Sequence, residues 1–365
     1  MKPWKAAWVA DPHVGNHKVF GGKVTSGLNR RCRLGLRVLR HALRTAVGAG
    51  CTHFFVLGDL VDVDAPGDRI VWALAALFKE FEDELRIVLL QGNHDRASSA
   101  PDDNALAGLS LVAHVVTEPE AYPLDGGFIA LVPFQDGDAT TWFPGALQQA
   151  IRAGGAQPCF ALGFHLGIRD LGASPWEASA KDAFDVEALR ILMQTYGIGY
   201  AYAGNWHTPK AWSNCIFQCG TLCPTGFDNP GSHYGVMHTL SAMGERRPYL
   251  IAGPRFHKVR VLGPGPRYVV DGQPPEQANW HFLRLVVPPQ DLVEARIWFE
   301  TNPPTCLDWE LVVDQQEARE LAQEAQGRAR AETALPVAVA TFIEHAEIRH
   351  GNEVKALVYK YLHIT

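Results

Sequence analysis

The sequence predicts an α/β domain followed by a small α+β domain, and two patterns support this division. Over the first two-thirds of the chain, short apolar runs alternate with polar turns and amphipathic stretches, as strands layered against helices do. After Val261 the composition changes, and the sequence LGPGPRYVVDGQPPEQ is a Gly/Pro-rich stretch typical of a linker. We therefore expect domains at residues 1–262 and 278–365, joined by a linker at residues 263–277.

The predicted elements follow from hydrophobic patterning. Five apolar runs in the first domain have the length and composition of strands, at residues 6–10, 53–57, 87–90, 160–164 and 198–203. The clearest helix carries Leu36, Leu39, Leu43 and Val47 on one face and Arg33, Arg37, Arg40 and Arg44 on the other. In the second domain we expect a strand at 282–287, a helix at 291–301, a strand at 309–313 and two or three further helices.

Composition restricts the class of protein. The chain has 365 residues, of which 47% are hydrophobic and 20% charged, so it can form one large core and one small one. It shows no signal peptide and no run of about 20 apolar residues, so we expect a cytoplasmic protein without a membrane span. Seven cysteines spread over the chain favour reduced thiols. The net charge of −6 excludes a uniformly basic surface but not a local basic patch.

Polar residues follow the predicted strands, at the edge where open α/β sheets place their sites. The strand ends read D-P-H, G-D, G-N-H-D, a lone histidine and G-N-W-H. The candidate residues in these motifs are Asp11, His13, Asp59, Asn93, His94, Asp95, His165, Asn205 and His207.

These side chains predict a metal site. Their oxygen and imidazole ligands suit Mn²⁺, Fe or Zn²⁺ rather than an ion selected by thiolates. Positions two apart in extended chain point to the same side, so Asp11 and His13 can bind one ion, as can Asn205 and His207. A glycine precedes Asp59, as it does two other candidates, and it allows a sharp turn close to the site.

Taken in order, the five motifs resemble the signature of the calcineurin-like metallophosphoesterase superfamily. The resemblance covers about residues 1 to 225, and QGNHD is its most specific part. It implies a four-layer β-sandwich flanked by helices, a small C-terminal α+β accessory domain, and hydrolysis of a phosphoester. It also implies two adjacent divalent ions as cofactors, with Mn²⁺ expected and Mg²⁺, Fe or Zn²⁺ as alternatives.

The resemblance further implies a role for each candidate. One ion would be held by Asp11, His13, Asp59 and His207. The other would be held by Asp59, Asn93, His165 and the residue at 205, where the family's G-H-x-H motif has a histidine and this chain has Asn205. His94 would act on the leaving oxygen, and Asp95 would orient its ring.

Several details resemble the SbcD-type exonuclease branch of DNA double-strand-break repair. They are Asp-Pro-His followed by Val-Gly, the stretch GDLVD, and Gly220-Thr221-Leu222 followed by Pro224 and Phe227. In that branch the accessory domain caps the site, the protein forms a homodimer, and an SMC-like ATPase subunit regulates it. The implied function is a DNA exo- or endonuclease, and the implied partners are DNA and such an ATPase.

A basic segment also favours DNA. No acidic residue occurs between Asp11 and Asp59, whereas basic residues are frequent there. We predict phosphate contacts from Lys18, Lys23, Arg30, Arg31, Arg33 and Arg37. The alternative is an ordinary solvated helix face.

Other interpretations remain open at this point. The chain is either a nuclease, a phosphodiesterase or phosphomonoesterase of small substrates such as nucleotides, or a binding protein on a decayed scaffold, the last suggested only by Asn205. Three cysteines recur at every fourth position, but this spacing matches no common zinc site, so we expect small core residues at Cys215, Cys219 and Cys223. Asp62 and Asp64 could extend the motif that contains Asp59, but we favour turn carboxylates near Pro66 and Gly67.

Overall fold

The computed structural model of the chain describes residues 3–98, 100, 103–170, 175–227, 235–262, 269–271, 282–304, 306–316, 318–320 and 322. The chain divides into two compact units, Met1–Arg255 and Phe256–Thr365. The sequence places the end of the first domain at residue 262, one strand after the division in the structure. The strand Phe256–Leu262 belongs to the second unit, because it pairs with a strand of that unit. Of the predicted linker at 263–277, only residues 269–271 are described, and they form a strand.

The first unit alternates strands and helices along the chain. Its described strands are β1 (Lys5–Val9), β2 (His53–Leu57), β3 (Arg86–Leu90), β4 (His114–Val116), β5 (Glu120–Leu124), β6 (Gly127–Val132), β7 (Cys159–His165), β8 (Gly167–Arg169), β9 (Ala183–Asp185), β10 (Tyr200–Gly204), β11 (Lys210–Trp212), β12 (Ile216–Gln218), β13 (Gly235–Ser241) and β14 (Arg246–Ile251). Its described α-helices are α1 (Arg30–Gly48), α2 (Asp68–Lys79), α3 (Ala139–Gly154), α4 (Pro175–Ser179) and α5 (Val186–Tyr196), and a 3₁₀ turn covers Ala107–Leu109.

Twelve of these strands form two six-stranded sheets, and β8 and β9 pair in a separate two-stranded sheet. The first has the order β14-β13-β1-β2-β3-β4, and the second has the order β11-β12-β10-β7-β6-β5. Four neighbouring strands of each sheet are parallel: β1 to β4 in the first, and β6, β7, β10 and β12 in the second. Parallel strands place their carboxyl ends at one edge, and this edge carries the polar motifs.

Both faces of each sheet are buried, which explains the continuous apolar runs in the sequence. Alternate residues of the sheets form an apolar layer in which Trp8 of β1 stacks on Phe55 of β2 and on Tyr202 of β10. The other residues pack outward, the first sheet against α1 and α2 and the second against α3 and α5. The result is a helix–sheet–sheet–helix sandwich, and the predicted four-layer architecture is confirmed.

Helix α1 shows how the local sequence determines an element. It begins after Asn29, whose side-chain oxygen accepts a hydrogen bond from the backbone N–H of Cys32 (2.9 Å). Leu39 and Leu43 are fully buried, whereas Leu36 and Val47 lie at the margin of the buried face. The predicted helix is therefore present, and Leu39 and Leu43 lie closer to the centre of its buried face than Leu36 and Val47 do.

The second unit contains a four-stranded sheet of order β16-β15-β17-β18. Its described elements are β15 (Phe256–Leu262), β16 (Val269–Asp271), β17 (Phe282–Val287), a 3₁₀ turn (Pro289–Asp291), α6 (Leu292–Thr301) and β18 (Asp308–Val313). A strand, a helix and a strand thus occur where the sequence predicts them, while most of the predicted terminal helices lie outside the described residues. In the described parts of the chain, we find no helix with the length and apolarity needed to span a bilayer.

Candidate metal centre

The proposed ligands lie where strands of the two sheets end. Backbone hydrogen bonds join the loops after β1 and β2, from the Asp11 N–H to the Gly58 carbonyl (3.2 Å) and from the His13 N–H to the Asp59 carbonyl (3.0 Å). The sheets are joined as well, because the backbone N–H of Asn205 donates to Asp11 Oδ1 (3.0 Å). The strand ends therefore form one centre between the sheets.

Among the described residues, three overlapping groups of side chains could hold a metal ion. Within each group, the potential ligand atoms lie within 4.8 Å of one another. The groups are Asp11 with His13 and His207, His13 with Asp59 and His94, and Asp11 with Asp59 and His165. Six of the residues singled out from the sequence therefore converge, and consecutive groups share members, as two adjacent ions require.

Asp59 has the geometry of a bridging carboxylate. Its Oδ2 lies 3.7 Å from Nε2 of His13, and its Oδ1 lies 3.4 Å from Nε2 of His165. The two oxygens thus face histidines that belong to different predicted ion sites. Asn93 completes the second side, since its Oδ1 lies 3.0 Å from Nε2 of His165. His13 therefore lies beside one oxygen of Asp59, and His165 with Asn93 lies beside the other.

Unsatisfied polar atoms show that the centre fits a cation. In the described part of the chain, Asp11 Oδ2 and His13 Nδ1 are buried and have no hydrogen-bond partner. The Nε2 atoms of His13 and His207 face each other at 3.0 Å. Buried polar groups are normally paired, so an unpartnered buried carboxylate oxygen and imidazole nitrogen fit the chemistry of a cation site.

The two buried carboxylates of the centre have pKa values shifted in opposite directions. Burial raises the pKa of Asp11 to about 8, with Asp59 adding to the rise and His165 opposing it. Burial also opposes ionisation of Asp59, but His165 and other histidines outweigh this effect and lower its pKa. Burial disfavours the charged form of His165, yet Asp59 and Asp11 raise its pKa to about 10. Asp11 is therefore the carboxylate that lacks positive charge, which a divalent ion would supply.

Backbone hydrogen bonds fix the orientation of His165. Its Nδ1 lies 2.7 Å from the carbonyl oxygen of Leu57, which can only accept, so Nδ1 carries the proton. The Nε2 atom is then left to face Asn93 and Asp59 as a ligand atom. A carbonyl partner of this kind sets the tautomer of metal-binding histidines.

The ligand-bearing backbone is strained. Positive φ angles occur at Asp11 (51°), His13 (44°), Asp59 (49°) and Asn205 (77°), four of the seven such non-glycine residues among those described. Each costs on the order of 1 kcal/mol and recurs at functional sites, where surrounding contacts impose it. Close packing contributes, because a side chain at Gly92 would overlap the Asp59 carboxylate.

The sequence model of the calcineurin-like phosphoesterase family matches residues 5–209. The match covers more than half of the chain and all seven proposed ligands. The chain belongs to the calcineurin-like phosphoesterase family. It is therefore a metal-dependent phosphoesterase, a hydrolase of ester bonds, and its Asp and His cluster is the candidate dimetal site of a family that uses divalent metals.

Comparisons beyond the family are more distant. A nuclease MPE from Pseudomonas putida is 19% identical with a TM-score of 0.25, over 45% of this chain and 62% of that one, so less than two thirds of the nuclease is covered. A dimetal phosphatase from Danio rerio is 12% identical with a TM-score of 0.39, over 69% of this chain and 100% of that one. A search of curated proteins finds no match.

Asn205 of this phosphoesterase has a defined orientation. Its Nδ2 donates to the carboxylate (2.9 Å) and to the backbone carbonyl (3.1 Å) of Asp182, on the segment before β9. Carboxylate and carbonyl oxygens only accept hydrogen bonds, so the atom that faces them must be the amide nitrogen, and both of its N–H groups are used. Oδ1 is then the atom that is left to bind a cation. The sequence did not identify Asp182, since it lies on another segment and belongs to no motif.

The predicted partnership between His94 and Asp95 is wrong. Asp95 is buried and accepts hydrogen bonds from the backbone N–H groups of Gly92 (2.9 Å) and Val61 (3.2 Å). Its carboxylate therefore joins the loops after β2 and β3, and it cannot also orient the ring of His94. That ring is exposed, and its Nδ1 donates to the carbonyl of Asp62 (3.0 Å).

The carboxylate of Asp62 lies beside histidines at the metal centre and is more than a turn residue. Its Oδ2 lies 3.1 Å from Nδ1 of His17, and its Oδ1 lies 3.7 Å from Nδ1 of His13. His17 in turn lies 2.8 Å, through Nε2, from the carbonyl of His13. The signal for this contact was in the sequence, because Asp62 ends GDLVD, the motif that contains Asp59.

The basic segment divides into exposed and structural residues. Lys18, Lys23, Arg33 and Arg37 are exposed, and Arg30 is half-buried with its guanidinium donating to the carbonyl of Phe20 (3.2 Å). Arg31 is only 5% exposed. It donates to the carbonyls of Val19 (3.1 Å), Pro224 (3.3 Å) and Thr225 (2.8 Å). The prediction that Arg31 contacts DNA is therefore corrected, because its donors hold two loops together.

The three evenly spaced cysteines do not form a site. Cys219 is buried between the sheets, whereas Cys215 and Cys223 pack against the two different outer cores. Their packing in three separate clusters confirms that they are small core residues.

Proposed function

We propose that this phosphoesterase is a nuclease that hydrolyses DNA phosphodiester bonds with two bound Mn²⁺ ions. The observation that supports it is the exposed basic segment continuous with the metal centre. His13 is followed directly by a loop with Lys18 and Lys23, and by a helix that presents Arg33 and Arg37. A polyanion extends over such a surface, whereas a small phosphoester would contact only the centre.

The ligand assignment rests on the resemblance to the family, and the convergence of these side chains supports it. One ion would be held by Asp11, His13, Asp59 and His207, and the other by Asp59, Asn93, His165 and Asn205. When bound, divalent ions neutralise phosphate charge and acidify the attacking water. The chain's own contribution is to keep Asp59 between the ions and to hold the His165 ring through the Leu57 carbonyl.

We assign His94 to the leaving group. Its backbone N–H is fixed by Asp59 Oδ1 (2.9 Å), and its Nδ1–H by the carbonyl of Asp62 (3.0 Å). The ring is exposed beside the centre, 5.0 Å between centroids from the ring of His13. With Nδ1 committed, Nε2 is the atom that would donate a proton or a hydrogen bond to the departing oxygen. His94 also belongs to a potential ligand group, so metal binding must be measured alongside turnover.

Further assignments rest on the resemblance to the SbcD-type branch alone. They are a homodimer, an SMC-like ATPase partner, and an accessory role of the second unit in DNA binding. The alternative activity is hydrolysis of small phosphodiesters or phosphomonoesters such as nucleotides. A decayed binding scaffold is disfavoured because every proposed ligand except residue 205 is of the family's type.

One comparison of substrates separates these functions. The protein with Mn²⁺ is incubated with end-labelled duplex and single-stranded DNA, and separately with bis-p-nitrophenyl phosphate and nucleotides. A nuclease degrades the DNA. Turnover of small substrates without DNA cleavage would replace the proposal with the alternative activity, and absence of all turnover would favour the binding protein. The variant Asp59→Asn serves as the control, because contaminating nucleases would survive it.

A further inference from the structure

An exposed tryptophan stands on helix α2. Trp72 is 72% exposed, and together with Asp68 and Arg69 it lines a surface cavity of about 470 Å³. The opposite face of the helix is buried through Leu74, Leu77 and Phe78, so the core is formed without Trp72. A large aromatic side chain kept in water adds little to the core, and its flat faces are available to a ligand.

Trp72 lies near the edge of the sandwich that carries the metal centre. Helix α2 follows β2, whose end carries Asp59, and Trp72 stands about 6 Å along the axis from the first residue of the helix. The loop after His13 reaches the same place, because a side chain at Gly27 would overlap the aliphatic part of Arg69. The helix that carries Trp72 therefore follows the proposed ligand Asp59, and the loop that contacts Arg69 follows the proposed ligand His13.

Arginines of α1 run alongside this position. The contact of Gly27 with Arg69 marks one end of the shared border, and the ion pair of Arg40 with Glu80 (2.7 Å) marks the other. Exposed residues of α1 and α2 that lie between these two contacts therefore line the border between the two helices.

Those residues are Arg33 and Arg37 on α1 and Trp72 on α2, all of them exposed. Arg33 also donates to the carbonyl of Thr25 (2.5 Å), which places its guanidinium beside the loop that carries Lys23. Asp68 is the acidic member of the cavity lining. Arg69 thus lines the cavity together with Trp72, and Arg33 is exposed on the neighbouring helix, a combination of aromatic and cationic groups that matches bases and phosphates.

We propose that Trp72 is a stacking platform for an unpaired base of the DNA substrate, with Arg33 and Arg69 beside it for the adjoining phosphates. This inference rests on the proposed nuclease function and specifies the form of DNA bound beside the centre. A base in a duplex already stacks on its neighbours, whereas a single strand offers free faces to an aromatic ring. Stacking of one base on such a ring strengthens binding by about 10-fold or more, independently of sequence.

The test compares DNA binding by matched variants. Anisotropy of a fluorescent oligothymidylate is measured in EDTA, which prevents cleavage, for wild type, Trp72→Ala, Trp72→Phe and Ile191→Ala. Ile191 is the control, because it is also an exposed apolar residue (63%) but lies on α5. We expect Trp72→Ala to weaken single-strand binding about 10-fold, Trp72→Phe to keep most of the affinity, and Ile191→Ala to change nothing. Binding of a blunt duplex should change less than binding of the single strand.

Turnover of bis-p-nitrophenyl phosphate, expected to be equal in all four proteins, reports whether the fold and the centre are intact. Equal single-strand affinity of wild type and Trp72→Ala would overturn the platform and leave the nuclease function standing. If wild type neither binds nor degrades DNA, the proposed function fails and the platform fails with it. Unchanged DNA binding together with loss of self-association in Trp72→Ala would show that this surface contacts protein instead.

Discussion

Removing the Asp182 carboxylate should weaken the second ion selectively. That carboxylate accepts a hydrogen bond from Nδ2 of Asn205 (2.9 Å), and the neighbouring backbone carbonyl accepts another (3.1 Å). In Asp182→Ala the carbonyl remains, but the charged acceptor is lost. The amide is then free to rotate and present its nitrogen, which cannot bind a cation, toward the centre.

The expected magnitude follows from the bond that is removed. A hydrogen bond to a charged group contributes about 1.5–3 kcal/mol, and loss of a group that orients a metal ligand lowers affinity about 10- to 100-fold. Because one of the two amide contacts survives, we expect the lower end, about 10-fold for the second Mn²⁺ and no change for the first. Asn205→His should act in the opposite direction and tighten the second site about 10-fold, since imidazole is the better ligand for transition metals.

Calorimetric titration with Mn²⁺ measures both sites, and a double-variant cycle isolates the coupling. In an Asn205→Ala background, Asp182→Ala should have no further effect on metal affinity. Asp170→Ala is the control, because Asp170 is also a half-buried aspartate but its carboxylate accepts from Lys210 (2.7 Å) and Trp212 (3.1 Å) on β11.

Three outcomes would refute this reasoning. Equal weakening of both ions by Asp182→Ala would indicate a general loss of structure. An equal effect of Asp182→Ala with and without Asn205 would show that the carboxylate acts by another route. If wild type binds two ions with the same affinity and Asn205→His binds no tighter, Asn205 is either a sufficient ligand or lies outside the ligand set.

Three further predictions concern residues around and away from the centre. His94→Ala should slow turnover about 100-fold while calorimetry shows unchanged Mn²⁺ affinity; a parallel loss of metal would make His94 a ligand. Arg37→Gln should flatten the salt dependence of DNA binding by about one unit, whereas Arg31→Gln should lower the unfolding temperature, since Arg31 donates to three backbone carbonyls; the reverse pattern would return Arg31 to the DNA surface. Burial, assisted by Arg246, lowers the pKa of His238 to about 4, below the value near 6.5 of the unfolded chain, so stability is lost as pH falls through this window. Urea unfolding should show that wild type loses about 2 kcal/mol more unfolding free energy than His238→Phe between pH 7.5 and 5.0. The same pH dependence in both proteins would contradict the lowered pKa of His238.

The ligands were predictable from sequence because their chemistry is local. Each belongs to a short motif at the end of an apolar run, and parallel strands bring such ends to one edge whatever the intervening helices contain. The order of motifs, from Asp11 to His207, was therefore enough to predict a shared centre, and the structure brings these residues together.

Side-chain partners were less predictable, because they depend on segments far apart in the chain. Arg31 begins the same basic helix as Arg33, and only the packing of Pro224 and Thr225 against it shows that its guanidinium is internal. Asp95 follows His94 directly, yet its carboxylate turns to backbone groups of two loops. Neighbours in sequence do not specify which group a buried carboxylate or guanidinium satisfies.

The central claim is that two ions share the Asp59 carboxylate at the edge between the two sheets. Crystals soaked in Mn²⁺ and measured at the manganese absorption edge test it most directly. We predict two anomalous peaks, one beside each oxygen of Asp59, with one near His13 and His207 and the other near His165 and Asn93. A single peak, or two peaks of which one lies away from Asp59, would contradict the claim.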